Sequence, residues 1–371
     1  VGEVEDGVRG EHRPPGLEEN AENTGSKTII QVMSPRRQSF WEPFSHRRFS
    51  TYTLERALYK NTAGTAIIFE EVNVDLGLMF RYAWRTSEAF GLVKTAWLVN
   101  QGEEPVSVTV TDGIQNILPA QVPSGTQNEF SVLLDAYKRS ELALDTGLGL
   151  FSLSSRLTDL AEPSEALRAN TVWHVGLGSV THLVSSSQLD AIRQGRAAQQ
   201  ETDVRGKRGA YFVQAVFNLP PNEERAWHLV AEVDQDAAKV ANLNLRLRSA
   251  ATSLFAAVTQ DVTETSERLK QTVGGADGRQ LSGDPLSAEH HFANVLFNVM
   301  RGGTFANQYM IDKADLLTYI NAHDHNALDQ HADFVANLPD TFSTQHLKQL
   351  ADSHGSAELV RLCYTYMPLT F

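Results

Sequence analysis

The stretch Asp112-Gly-Ile-Gln-Asn-Ile-Leu-Pro119 brings one carboxylate and two carboxamides close together at the end of an apolar alternation. Val106, Val108 and Val110 trade places with Ser107, Thr109 and Thr111, the pattern of a strand with one buried face. A loop following that strand would present Asp112, Gln115 and Asn116. Trp84-Arg85 closes a nearby apolar segment, and Trp97 lies in another. Aromatic rings stack on the C–H faces of sugars, while sugar hydroxyls need paired donors and acceptors. Trp84, Asp112, Gln115 and Asn116 are therefore the candidates for contact with an oligosaccharide or glucan. The same residues also have a purely structural reading, since Asp-Gly and Asn are ordinary turn chemistry and a strand Trp is commonly core.

Other chemistry-bearing types point less far. Seven of the twelve histidines follow residue 289, among them His290-His291, His323-Asp-His325 and His331. They lack a His-Glu-x-x-His pattern and a cysteine pair, so no metal site is expected. Gly147-Leu-Gly149 and Gly176-Leu-Gly178 lack the third glycine of a dinucleotide fingerprint and read as bends in a sheet, and no cofactor is expected. Arg301-Gly302-Gly303 reads as a helix end. Cys363, the single cysteine, sits in an apolar helical pattern and reads as a buried structural thiol. His174 and His182 lie on strands without an evident carboxylate partner, which an enzyme acting within such a sandwich would need.

The elements that position these residues follow from length and period. At roughly 150 residues per domain, 371 residues make two or three domains, and 42% hydrophobic content supplies a core. A formal charge of −13 argues against nucleic acid and against an anionic membrane surface as partners. No run of about 18 apolar residues is present, and the one cysteine fits a cytoplasmic setting, a signal peptide aside. The chain starts without methionine and ends on an apolar run at Phe371, so a piece of a longer protein is expected.

Residues 1–27 read as a disordered lead or a draped segment, polar in composition, and 28–233 as an antiparallel β-sandwich of short strands at Thr65–Glu71, Leu76–Trp84, Leu92–Asn100, Leu148–Leu157, Thr171–Leu183, Tyr211–Leu219 and Arg225–Val233. Helical insertions are expected near Phe130–Ser140 and Ser187–Thr202. Three-four spacing of Phe255, Val258, Val262, Leu269 and Val273 makes 234–284 a helical linker with a hinge loop at its end. Residues 285–371 read as all-helical, with Asp312 and Ser343 as caps.

A family resemblance enters on particular runs. Tyr52-Thr-Leu-Glu-Arg-Ala-Leu-Tyr-Lys-Asn61, Phe80-Arg-Tyr-Ala-Trp84, Phe90-Gly91, Asn100, Asp112–Pro119 and Asn294-Val-Leu-Phe-Asn-Val-Met-Arg-Gly-Gly303 resemble the N-terminal region of large bacterial proteins related to cellobiose phosphorylase. That group includes inverting disaccharide phosphorylases and cyclic glucan synthases. The resemblance implies a galactose-mutarotase-like supersandwich, a helical linker and an (α/α)6 toroid. The toroid would carry a general-acid aspartate and the groups binding inorganic phosphate, the co-substrate of the full-length protein. Here residues 285–371 would be only the first toroid helices, with the rest of that domain as the missing partner. No position matches the catalytic aspartate, so the catalytic residues are unknown. The function expected is a non-catalytic sandwich and linker of a carbohydrate-active enzyme, shaping the glycan site and domain or homodimer packing. The alternatives are a structural sandwich without sugar contact, or a complete glycan-binding or mutarotase-like module.

Overall fold

Alternation with period two gives each strand one apolar face, and the first unit, residues 1–266, buries those faces between two sheets. The computed structural model describes residues 22–34, 37–47, 51–61, 63–155, 167–249, 253–276, 278–279, 283–301, 304–305, 310–366 and 369–370. Most of the polar lead, and Gly302 and Gly303 of the expected helix end, lie outside the described residues.

In chain order the strands of this unit are β1 (Gly25–Ser34), β2 (Arg37–Trp41), β3 (Leu54–Lys60), β4 (Ile67–Asn73), β5 (Leu78–Ser87), β6 (Gly91–Asn100), β7 (Val106–Ile117), β8 (Lys138–Ala143), β9 (Leu148–Leu153), β10 (Arg168–Val175), β11 (Val180–Ser185), β12 (Asp203–Arg205), β13 (Gly209–Leu219) and β14 (Glu224–Asp236). The smaller sheet runs β11-β13-β7-β1-β2 and the larger β12-β8-β9-β10-β14-β6-β5-β4-β3. Every neighbouring pair is antiparallel, as the sequence pattern predicts. Ile30, Val108, Val110 and Val213 of the smaller sheet meet Phe80, Ala96, Leu98, Trp227 and Leu229 of the larger in one buried core.

Two helices cover part of the other face of the larger sheet, and a short one packs on that of the smaller. The described residues hold α1 (Ser124–Glu129), α2 (Ser131–Tyr137), α3 (Leu189–Arg193), α4 (Ala237–Ser249) and α5 (Leu254–Gly275). Leu254, Val258 and Val262 recur every fourth residue on α5 and pack with Leu247 on Val93, Trp173 and Val230. The helix expected over Ser187–Thr202 is confined to α3, because Gly195 turns to a φ of 87° and the following chain extends. The insertion expected at Phe130–Ser140 is α2, preceded outside that range by α1, with Lys138 already in β8.

The loop expected after Thr111 is not there. β7 continues to Ile117, with Asp112 opposite Thr28 of β1 on one side and Val213 of β13 on the other. Gly113 serves close approach, not a turn: a Cβ there would stand 2.2 Å from the Tyr211 carbonyl oxygen. Asn116, at a φ of 54°, is the extra residue where the register shifts against Gly209 and Ala210.

The second unit, residues 267–371, holds α6 (Pro285–Met300), α7 (Lys313–His323), α8 (Ala327–Gln330), α9 (Ala332–Asn337), α10 (Thr344–His354) and α11 (Ala357–Thr365). Two short antiparallel pairs join them, Thr304–Phe305 with Leu369–Thr370 and Met310–Asp312 with Thr341–Ser343. This segment is therefore not all-helical. Asp312 caps α7 by accepting from the Ala314 amide at 2.9 Å, and Ser343 caps α10 by accepting from His346 at 3.1 Å. Instead of a row of helices awaiting partners, residues 311–366 close around a core of their own, with Leu316, Ile320, Phe342, Leu347, Leu359 and Cys363 at its centre.

Candidate functional site

At one end of the sandwich the two sheets leave a cleft of about 590 Å³. Trp84 of β5, Leu92 of β6, Asn170 and Val172 of β10 and Val233 of β14 line it from the larger sheet. Ile114, Ile117 and the segment 118–123 line it from the smaller. Asn170 ties the walls together: its Nδ2 donates to the Leu118 carbonyl at 2.8 Å, and its Oδ1 accepts from the Asp234 amide at 2.8 Å. The arrangement is an apolar trough with one half-buried indole and polar groups at its edge.

Of the four sequence candidates, the structure brings Trp84 alone to this cleft. Asp112 lies fully buried between the sheets, where its carboxylate accepts from Lys94 Nζ at 2.5 Å, Thr28 Oγ1 at 2.7 Å and Trp227 Nε1 at 2.7 Å. Three donors occupy it, and no oxygen is left for a ligand. Gln115 is buried and donates to the Glu22 carbonyl at 3.1 Å. Asn116 is half-buried at its bulge; its Nδ2 donates to Thr24 Oγ1 at 3.3 Å, while its Oδ1 is enclosed without a donor. The expected patch of four is thus dispersed because β7 is a central strand instead of a loop. Asn170, which sequence reasoning missed, reaches the cleft through a register shift between Ala169 and Thr171 that no local motif announces.

Lys94, equally buried, holds the two sheets together through Asp112. Burial pushes its ammonium pKa down, and the Asp112 charge opposes that shift. Arg85 and Trp97 sit on the opposite face from Trp84, because neighbouring residues of a strand point to opposite sides.

His174 and His182, one on each sheet, come together with Tyr211. The Tyr211 hydroxyl donates to the Gly147 carbonyl at 2.6 Å, so its oxygen accepts from His174 Nδ1 at 3.3 Å. That same nitrogen stands 3.3 Å from His182 Nε2. Burial lowers the pKa of His174 to about 3, helped by the His182 charge, and burial lowers that of His182 to about 4. Among the described residues neither ring meets a carboxylate, so the pair has no partner for acid–base work on a sugar. In the second unit His331 stacks edge-on against His354, whose Nε2 is 3.5 Å from Asp333. No group of three or more His, Cys, Asp or Glu among the described residues could hold a metal ion, and none of their helices is long and apolar enough to cross a membrane.

Residues 305–368 match the family model for the glycoside hydrolase family 149 insertion domain 1. No curated protein matches the chain. Among solved structures, a human-microbiome protein described as a kojibiose phosphorylase aligns at 7% identity over 78% of this chain and 35% of its own, with a TM-score of 0.39. A bacterial glucoamylase complexed with acarbose aligns at 10% identity over 91% of this chain and 52% of its own, with a TM-score of 0.40. A galactose mutarotase-like protein from Clostridium acetobutylicum aligns at 11% identity over 61% of this chain and 83% of its own, with a TM-score of 0.25. The chain spans between a third and about half the length of the first two. The family match agrees with a carbohydrate-active, glycoside hydrolase-like protein, without singling out the cellobiose phosphorylase type.

Proposed function

We propose that this chain is the sandwich, linker and inserted-domain portion of a glycoside phosphorylase or hydrolase, acting on an oligosaccharide or glucan. The observation that carries the proposal is the glycoside hydrolase insertion-domain match over residues 305–368 in a chain that also builds an antiparallel sandwich. An insertion interrupts something. In this reading α6 opens the (α/α)6 domain, residues 305–368 interrupt it, and the rest of that domain supplies the general acid. The exposed apolar side chains of α6, Leu286, Phe297 and Met300, suit a helix that packs in such a toroid. Phosphate would replace water as the attacking group if the reaction is phosphorolysis. The sandwich contributes the cleft at Trp84, where a sugar ring stacks on the indole and Asn170 borders the trough.

A second reading, a sandwich that touches no glycan, is favoured by the burial of Asp112 and Gln115. Intrinsic fluorescence separates the two. Trp41, Trp173 and Trp227 are buried, leaving Trp84 and Trp97 half-exposed to a ligand. Titration with cello-oligosaccharides is expected to quench wild type and Trp97→Phe but not Trp84→Phe. A wild type that does not respond, or a response that survives Trp84→Phe, sinks the cleft as a glycan site.

A further inference from the structure

The outer face of the larger sheet carries an arginine with no counter-charge among the described residues. Among the half-buried arginines described, Arg56, Arg81, Arg139, Arg168 and Arg193 each pair with a carboxylate. Arg85 does not. Its Nη2 donates to Thr95 Oγ1 at 2.6 Å and its Cζ lies 5.5 Å from the centre of the Trp97 ring, while its Nε is enclosed with no acceptor. Burial with nothing to offset it pushes the guanidinium pKa down. Such a group is costly to keep unless something pairs with it.

The neighbours are arranged so that none supplies an acceptor for the rest of the fork. Thr259 Oγ1 donates to the Phe255 carbonyl at 2.9 Å, so it accepts from His228 Nε2 at 3.0 Å. His228 Nδ1 then accepts from the Thr95 hydroxyl at 2.9 Å, and Thr95 Oγ1 accepts from Arg85. This chain runs in one direction and fixes His228 as the neutral Nε2–H tautomer. Burial first, and the Arg85 charge second, lower the His228 pKa to about 4. One N–H of the guanidinium is thereby spent, and the others have no acceptor among the described residues.

We propose that Arg85, with Trp97 beside it, is the binding site for an oxyanion, either free phosphate or a phosphate carried on a sugar whose ring lies against Trp97. Guanidinium forks match tetrahedral oxyanions through paired N–H donors, which ammonium groups do not. This site is separate from the cleft at Trp84 and does not depend on any glycan binding there.

The test uses the full chain and thermal unfolding in a phosphate-free buffer, with phosphate added against chloride of equal ionic strength. Phosphate is expected to raise the wild-type midpoint saturably, whereas Arg85→Met abolishes the rise and Arg85→Lys weakens apparent affinity at least tenfold. Without phosphate, Arg85→Met is expected to unfold no earlier than wild type, because it removes an uncompensated charge. Glucose 1-phosphate distinguishes the sources: in a Trp84→Phe background it quenches fluorescence more than inorganic phosphate if the anion arrives on a sugar, and equally if it arrives free. Equal phosphate stabilisation of wild type and Arg85→Met, as an excluded salt would give, overturns the site. So does an Arg85→Met protein that unfolds earlier in phosphate-free buffer, which would make Arg85 a packing residue on Trp97.

Discussion

Removing one member of the Lys94–Asp112 pair should cost far more than removing both charges. Both side chains are fully buried, and Asp112 accepts from Lys94 at 2.5 Å, Thr28 at 2.7 Å and Trp227 at 2.7 Å. Asp112→Asn leaves an ammonium between the sheets with only neutral company, the new amide oxygen, the Gly113 carbonyl at 3.5 Å and the Tyr82 ring at 5.4 Å. Breaking a buried pair from one side costs about 3–5 kcal/mol. In Lys94→Met/Asp112→Asn no charge remains, and the residual loss is one imperfect hydrogen bond, about 1 kcal/mol. Adding Lys94→Met to Asp112→Asn should therefore restore roughly 2–4 kcal/mol. Urea unfolding followed by tryptophan fluorescence reads this cleanly, since all five tryptophans lie in residues 1–266. Alkaline pH supplies an internal check. An unpaired buried lysine has a folded pKa below its unfolded value, so the single variant should regain stability as pH rises toward the unfolded value of about 10, across the window where the folded state has shed the proton and the unfolded chain still holds it. If the second substitution leaves Asp112→Asn unchanged or weakens it further, the pair is not the buried clamp described. Neither variant should alter quenching by cello-oligosaccharides, because Asp112 has no oxygen facing a ligand.

Gly113→Ala should lose about 3 kcal/mol in the same urea assay, because its Cβ would meet backbone at 2.2 Å, while Gly125→Ala, in α1 with nothing within 4 Å, should be neutral to slightly stabilising; equal midpoints would contradict the close approach of β7 and β13. Stability of the first unit should fall as pH drops from about 6.5 toward 4. His174, His182 and His228 are held neutral with pKa values lowered to about 3, about 4 and about 4, whereas the unfolded chain takes up their protons at its ordinary value of 6.5. Each contributes up to about 1.4 kcal/mol per pH unit across that window, and equal urea midpoints at pH 7 and pH 5 would refute it. Cys363, 1% exposed with its thiol pushed up to about 11 by burial, should react with a thiol reagent only after denaturant is added; rapid labelling of the native chain would place it at the surface.

Features whose cause lies within a few residues are legible in the amino-acid order. The alternation at Val106–Thr111 made a strand, the four-residue recurrence after Leu254 made a helix face, and Asp312 and Ser343 started their helices with their own side-chain oxygens. Even the separation of Trp84 from Arg85 was implicit, since adjacent strand residues must point to opposite faces. Tertiary structure decided the rest. Asp112-Gly113 has the composition of a turn, yet pairing with β1 on one side and β13 on the other carries it through the middle of a sheet. Asn170 enters the cleft, and His174 meets His182, through registers between strands far apart in the chain. Among the described residues no carboxylate reaches Arg85 from those distant partners either. Local periodicity fixes which way a side chain faces. Which partner it faces is chosen by long-range burial, a sum over the whole core that no short stretch of residues contains.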